Sequence, residues 1–293
     1  MSDTVAPRAA AAARLTQLGT IMVSGAQARA YLQGQLTADL DTLNAAQVQL
    51  TCCNSPQGRV QAVLWMLQHG DGIALILPVS LVDITVARLR KYVLRAKVTI
   101  EAAPNLPVGV MARSALPAAV TLPEPRSHQE LAGVSYFNLP GVADVLVLGM
   151  TAEADVDSEH RWRLARIRAG LPQVFPETHE SFVAQMLNID LLGGISFEKG
   201  CYTGQEIIAR AHFRGAVKRR MFRFSSAAPA PAPGTRVLAG EQHAGDVVDS
   251  VATDSGCELL AVISLAQLTN ELHVAGQSAA LTRLELPYAV PAS

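Results

Sequence analysis

The stretch Ala227-Ala228-Pro229-Ala230-Pro231-Ala232-Pro233-Gly234 divides this 293-residue chain more firmly than any other. Proline at alternate positions fixes φ and removes backbone donors, so neither a helix nor a central strand can pass through it. A large region, residues 18–226, therefore folds before the break and a small one, residues 235–293, after it. In the small region the apolar runs 235–238, 246–251, 258–264 and 271–274 are short and punctuated by Gly and Asp. That pattern predicts a C-terminal β-barrel.

The large region reads as two α+β halves split near residue 105. In the first, residues 21–23 form a short strand. Ser24 and Gln27 then have capping-box spacing ahead of a helix that puts Ala28, Tyr31 and Leu32 on one face. Residues 47–53 alternate like a strand, and Asn54-Ser55-Pro56-Gln57-Gly58 is a turn. Strands 60–67 and 73–77 are joined by His69-Gly70-Asp71-Gly72. Ser80 caps a helix with the apolar stripe Val82, Val86, Leu89 and Val93, and strand 97–100 closes the half. The second half offers strands at 108–111, 134–137 and 145–148, then a helix over 158–169 ended by Gly170, with Pro172 beyond. This order predicts α+β layering, with helices on one face of antiparallel sheets.

With 49% apolar and 17% charged residues the chain can bury a substantial core. No run approaches the ~18 uninterrupted apolar residues of a transmembrane helix. Residues 1–17, Ala-rich at the start and without an apolar signal core, are expected to be a flexible tail. A net charge of -1 gives no global reason to expect nucleic-acid binding. Cys52, Cys53, Cys201 and Cys257 are too few and too irregular for a disulfide framework or a zinc motif. A cytoplasmic setting and no metal site are expected.

The chemistry concentrates in Lys199-Gly200-Cys201-Tyr202-Thr203-Gly204-Gln205-Glu206. Thr203 and Glu206 have capping-box spacing, which would start a helix just after Thr203 and leave Cys201 outside its positive end. Lys199 would add a second positive influence, and both favour a thiolate. Gly200 and Gly204 supply flexible or close-approach backbone. The same pattern also suits a small apolar cysteine at a loop–helix junction.

The run 195–206, continuing Ile207-Ile208-Ala209-Arg210, resembles the signature of YgfZ-like proteins, folate-binding relatives of the glycine-cleavage T-protein (aminomethyltransferase). Tyr31-Leu32-Gln33-Gly34-Gln35-Leu36-Thr37-Ala38-Asp39, Ile167-Arg168-Ala169-Gly170-Leu171-Pro172 and Leu286-Pro287-Tyr288 are similar to further blocks of that family, so the resemblance covers nearly the whole chain. It implies two ferredoxin-like α+β domains around a central tetrahydrofolate cavity, with a C-terminal β-barrel. It also implies a role in making or maintaining iron–sulfur clusters in partner enzymes, among them radical-SAM tRNA thiolation enzymes. Cys201 and Lys199 match the family's functional cysteine and lysine, and Tyr202, Gly204, Gln205 and Glu206 would shape their loop. Cys201 is implied as a transient contact for a cluster. Trp162 looks like a tryptophan implicated in folate binding, where its ring can stack on a pteridine. A second such position is Leu18 here. A monomer, with no direct RNA contact and no membrane, is the expected state.

One departure bears on activity. Where the T-protein carries paired aspartates after a Gly-rich turn, this chain has Gln61 and Ala62, which cannot exchange a proton as a carboxylate does. Aminomethyl transfer is the alternative this weakens. A Cys–His hydrolase using His179 or His212 is a further alternative. Arg210, Arg214, Lys218, Arg219, Arg220 and Arg223 form a basic run that suits either an anionic partner or a solvated segment.

Overall fold

A computed structural model describes residues 12–213, 215 and 217–291. In chain order it comprises β1 (Ala12–Arg14), β2 (Leu18–Ser24), α1 (Ala28–Gln33), β3 (Gln49–Asn54), β4 (Val60–His69), β5 (Gly72–Pro78), α2 (Val82–Arg90) and β6 (Thr99–Ala102). Then come β7 (Val108–Met111), β8 (His128–Leu131), β9 (Val134–Asn138), β10 (Val145–Leu148), α3 (Val156–Arg168) and α4 (Gln205–Phe213). The C-terminal region holds β11 (Arg219–Ser226), β12 (Arg236–Ala239), β13 (Gln242–Thr253), β14 (Gly256–Ser264), β15 (Leu272–Val274) and β16 (Thr282–Leu284).

Three antiparallel sheets result. Their strand orders are β3-β4-β5-β2-β6, β1-β7-β10-β9-β8 and β15-β12-β13-β14-β11-β16. β4 and β5 are buried along almost their whole length, which is why both are near-continuous Val/Leu/Ile/Met runs. One core cluster takes in side chains of the first two sheets, the inner face of α3 and the loop that leads to α4. A second lies within the C-terminal sheet.

Several expectations are corrected. Ala12–Arg14 pairs with Gly109–Met111, so the proposed tail gives a strand at its end; residues 1–11 lie outside the described residues. Ser24 is held in β2 opposite Thr99, and the residue preceding α1 is Gln27, which makes no side-chain cap bond. Ser80 is taken into a 3-10 turn at Val79–Leu81 ahead of α2. Asp155 caps α3 by accepting from Ser158 N at 2.9 Å, which starts that helix two residues early. The C-terminal region is a half-barrel sheet: β16 adds three pairs at the outer edge of β11, and just before it Ala280 bridges His273 and Leu281 N donates to Leu272 O at 2.7 Å, so the last segment also reaches β15.

α3 fastens this half-barrel to the rest. Arg166, 1% exposed, pairs with the fully buried Asp249 and donates to Leu171 O at 2.7 Å. Arg163 reaches Asp249 Oδ1 at 3.1 Å, and Arg168 meets Glu258 at 2.6 Å. Burial holds the Arg166 guanidinium below its usual value.

The second sheet meets the first through a proton-ordered chain. His128 Nδ1 lies 2.8 Å from Ala45 O, which can only accept, so Nδ1 carries the proton. His128 Nε2 then accepts from the Ser135 hydroxyl at 3.0 Å, and Ser135 Oγ accepts from His69 Nδ1 at 2.9 Å. Glu130 lies 3.8 Å from His69. Burial pushes His128 down from the ordinary value of 6.5, against the Ala45 bond and the Glu130 charge, with His69 adding to the shift. A depressed histidine favours the neutral folded form, so its contribution is intact above 6.5 and is lost as pH falls below that toward the folded value. Denaturation midpoints should therefore drop from pH 7 to pH 5, and His128→Asn, which keeps the donor to Ala45, should flatten that drop. An unchanged slope in the variant would contradict this assignment.

Candidate functional site

Two sequence blocks that lie far apart in the chain are laced together. Ser196 N donates to Thr37 O at 2.9 Å, and Thr203 N donates to Gly34 O at 3.2 Å. Between them Lys199 Nζ donates to Leu36 O at 2.9 Å and to Ala38 O at 2.7 Å. The Tyr31–Asp39 block thus holds the motif loop from both ends. Gly204 seats the loop's far side, at φ +82°. A Cβ there would come within 2.6 Å of Ser55 O and 2.9 Å of Gly58 Cα, so only glycine lets the loop lie on the β3–β4 turn.

Cys201 is exposed, while Cys52, Cys53 and Cys257 are all buried. Its neighbours do not serve it as the sequence suggests. Lys199 is 8% exposed and its ammonium faces inward, 5.2 Å over the Tyr202 ring. Burial brings Lys199 down to about 8, against the pull of the Asp39 and Asp41 carboxylates. Its charge is spent on backbone carbonyls rather than directed at the thiol. The helix begins at Gln205, so three residues separate Cys201 from α4, beyond the reach of the dipole's first turn. Thr203 makes no capping bond to Glu206 among the described residues, and Glu206 instead pairs with Arg210 at 3.1 Å. Gly200 faces open space, so it serves no close approach. The Tyr202 hydroxyl is buried without a partner among the described residues, and burial, with Cys52 nearby, raises its pKa.

Two residues unnoticed in the sequence complete the support. Asn54, fully buried at the turn on which Gly204 rests, has neither side-chain amide atom partnered among the described residues. Its backbone carbonyl accepts from Arg88 Nη2 at 3.0 Å, and Arg88 also binds Gln35 Oε1 and donates to Gln61 Oε1 at 3.1 Å. Asn54 reads in sequence only as a turn former. Arg88 sits off the apolar stripe of its helix, where nothing distinguishes it from a solvated arginine. Gln61 in turn donates to Glu180 at 2.7 Å, and Ala62 is buried. Positions 61 and 62 thus hold a hydrogen-bonded amide and a packed methyl.

Of the other candidates, Leu18 and Trp162 are core residues, 8% and 2% exposed. The Arg166 guanidinium covers the Trp162 ring at 5.5 Å, on a face that a stacking ligand would need, and the indole N–H has no partner among the described residues. His179 lines a cavity of about 60 Å³ with Cys53 and Gln61, and His212 stacks on Phe197 at 3.8 Å. Cys201 hydrogen-bonds to neither among the described residues, so no Cys–His pair is assembled. Three members of the basic run sit in ion pairs beyond the Arg210–Glu206 pair: Arg219 with Asp246 at 3.7 Å, Arg220 with Asp190 at 2.6 Å and Arg223 with Glu258 at 3.5 Å. Arg214 lies outside the described residues.

Beside the motif loop opens a cavity of about 590 Å³, lined by Asp39, Gln49, Arg126, Ser196 and Phe197, with Glu198 also contributing. Among the described residues no three His, Cys, Asp or Glu side chains gather as a metal site, and no helix is long and apolar enough to cross a membrane.

No family model matches the chain. It is 34% identical over 264 residues to the tRNA-modifying protein YgfZ of Klebsiella pneumoniae, covering 82% of this chain and 81% of the relative. The tRNA-modifying protein YgfZ of Cronobacter sakazakii is 35% identical over 266 residues, with 82% and 80% covered. That of Sodalis glossinidius is 31% identical over 296 residues, with 92% and 90% covered. The fold is similar to the glycine cleavage system aminomethyltransferase T of Bartonella henselae, with a TM-score of 0.72 at 14% identity over 95% of this chain and 86% of the other.

Proposed function

The chain belongs to the family of the tRNA-modifying protein YgfZ, and from that premise we propose that it is a folate-binding accessory protein for iron–sulfur enzymes, supporting tRNA thiolation through Cys201. The observation that carries this reading is the asymmetry among the cysteines. Three are buried in strands, and the fourth is presented to solvent on a loop fixed at Gly34, Leu36, Ala38 and Ser55. A thiol presented this way, once deprotonated, can ligate one iron of a cluster that a partner protein holds. Iron–sulfur clusters usually take several thiolates, so one exposed cysteine suits contact with a partner's cluster better than sole custody of it.

Lys199 acts in this reading as a positioning residue. Its two carbonyl bonds fix the loop, and its charge sits beneath Cys201's neighbour Tyr202 instead of beside the sulfur. The fit of a folate rests on the 590 Å³ cavity against residues 196–198, which falls in the size range of small-molecule sites. A reduced folate would bring one-carbon carrying capacity to that cavity. Aminomethyl transfer remains the second reading on fold alone, and the amide at Gln61 argues against it, since a carboxamide neither takes nor gives the proton.

The test is anaerobic calorimetry of the full chain with tetrahydrofolate. Saturable heat at a single site is expected, together with no folate-dependent ammonia release from an aminomethylated lipoyl carrier protein. Ammonia release would establish the transferase instead, and no heat at all would remove the folate reading.

A further inference from the structure

Residues 88–97 concentrate positive charge that the chain's net charge of -1 conceals: Arg88, Arg90, Lys91, Arg95 and Lys97 are cations, and none of the remaining residues is Asp or Glu. Arg88 and Arg90 close α2, where the helix dipole favours a cation. Arg95 and Lys97 lie past the end of that helix, so the dipole does not account for them. Arg90, Lys91, Arg95 and Lys97 are exposed, and Arg88 is half-buried. None of the five forms an ion pair among the described residues, although Asp83 shares their helix and Glu101 sits on β6, which packs against it.

The patch is tied down at both ends. Arg90 Nε donates to Ile100 O at 2.7 Å. Gln27 N donates to Lys97 O at 3.1 Å, and Lys97 N donates to Gln27 Oε1 at 2.7 Å. Gly25, at φ +104°, would bring a Cβ within 2.5 Å of Lys97 O, so only glycine lets the turn after β2 lie against this loop. Among the cations stand Tyr92, with the Arg88 guanidinium 4.9 Å over its ring, and Leu94, 90% exposed. Arg88 also joins the patch to the thiol loop. It binds Asn54 O and Gln35 Oε1, beside the residues on which Gly204 and Thr203 rest.

Exposed cations without counter-charges suit a run of phosphates. The apolar part, one leucine and one tyrosine, falls far short of the ~800 Å² that each side of a stable protein pair covers, so the patch lacks the core of a protein interface. We propose that residues 88–97 bind the phosphate backbone of a folded RNA through Arg90, Lys91, Arg95 and Lys97, with Tyr92 and Leu94 turned to an unpaired base. The neutral total is the ground for expecting no RNA contact. It does not govern here, because charge acts on a phosphate only within a screening length of about 10 Å. The bearing on thiolation rests on the function proposed above: an RNA held on this patch lies beside the loop that presents Cys201.

Fluorescence anisotropy of the full chain with labelled bulk tRNA tests this. With about four phosphates contacted, log K should fall against log salt with a slope of about -3 to -4. Lys91→Gln, Arg95→Gln and Lys97→Gln combined should weaken binding about tenfold or more at low salt and flatten the slope by about 3. The melting temperature of that variant and its heat with tetrahydrofolate should match wild type, and Cys201→Ser should bind tRNA as wild type does. Unaltered affinity in the triple variant, or no binding of tRNA to the wild type at low salt, would overturn the RNA surface and leave the folate and thiol roles to their own tests. Binding with the expected losses in a protein that gives no heat with tetrahydrofolate would uphold the surface and remove the folate reading. Polyglutamate bound as tightly as tRNA would put an acidic protein in place of RNA. Phosphatidylserine vesicles bound by the wild type and released by Leu94→Ser, with tRNA unbound, would put a membrane there.

Discussion

Asp249→Ala should lower the unfolding free energy by about 3–5 kcal/mol, because it strands the Arg166 guanidinium in the interior without its anion. Asp249 is the single carboxylate shared by Arg163 and Arg166, and its Oδ1 also accepts from Ser250 N at 2.8 Å. The register of β13 against β14 shifts between Val247 and Asp249, which turns this side chain toward α3. Removing it leaves a cation in a site built for a pair. The measurement is equilibrium denaturation followed by tryptophan fluorescence, for which Trp162 is a local reporter on α3. A loss below about 1 kcal/mol, the scale of an exposed pair, would show that the buried pair does not fasten the half-barrel. Arg166→Met with Asp249→Leu, which removes both charges, should recover much of the loss.

Cys201→Ser should abolish restoration of tRNA thiolation in a strain lacking the native protein, with unfolding free energy within about 0.5 kcal/mol of wild type. The sulfur is exposed, so serine loses little packing, and no other thiol reaches the surface to replace it. Tetrahydrofolate affinity should be unchanged, since Cys201 does not line the cavity. Full restoration by the serine variant would refute a thiol role. Loss of both restoration and folate binding would mean that the loop, rather than the sulfur, had been damaged.

Much of the fold is legible in the chain. Strands 108–111 and 145–148 are read to the residue because each is apolar on both faces and bounded by breakers. β8 is missed because only His128 of its four residues is buried and no apolar alternation marks it. The capping serines mislead for a local reason: Ser24 and Ser80 have the right side chain, but strand pairing and a 3-10 turn claim their backbones first. That residues 280–284 reach from β15 across to β11 also escapes the sequence, since β11 lies on the far side of the Pro-rich run and no local pattern encodes that pairing.

The site divides along the same line. Gly204 is legible, because a glycine between a loop and a helix signals a backbone that must turn or approach closely, and it does both. The direction of Lys199 is not, because its partners are carbonyls 161 and 163 residues away. By itself the sequence determined most of the strands and, through the motif blocks it shares with a known family, the T-protein-like scaffold; it also marked a break at 227–234, whereas β11, which precedes that run, pairs with β14 inside the C-terminal sheet. The strands rest on dihedral limits, periodicity and side-chain chemistry, which act within a few residues, and the scaffold rests on the resemblance of the motif blocks. Only the tertiary structure decided that Cys201 is the outward thiol, that Lys199 turns away from it, that Trp162 is sealed in the core, and that Asp39, Gln49 and Arg126 share a cavity. Burial and unmet hydrogen bonds depend on what distant segments bring to the same place, and no local pattern carries that information.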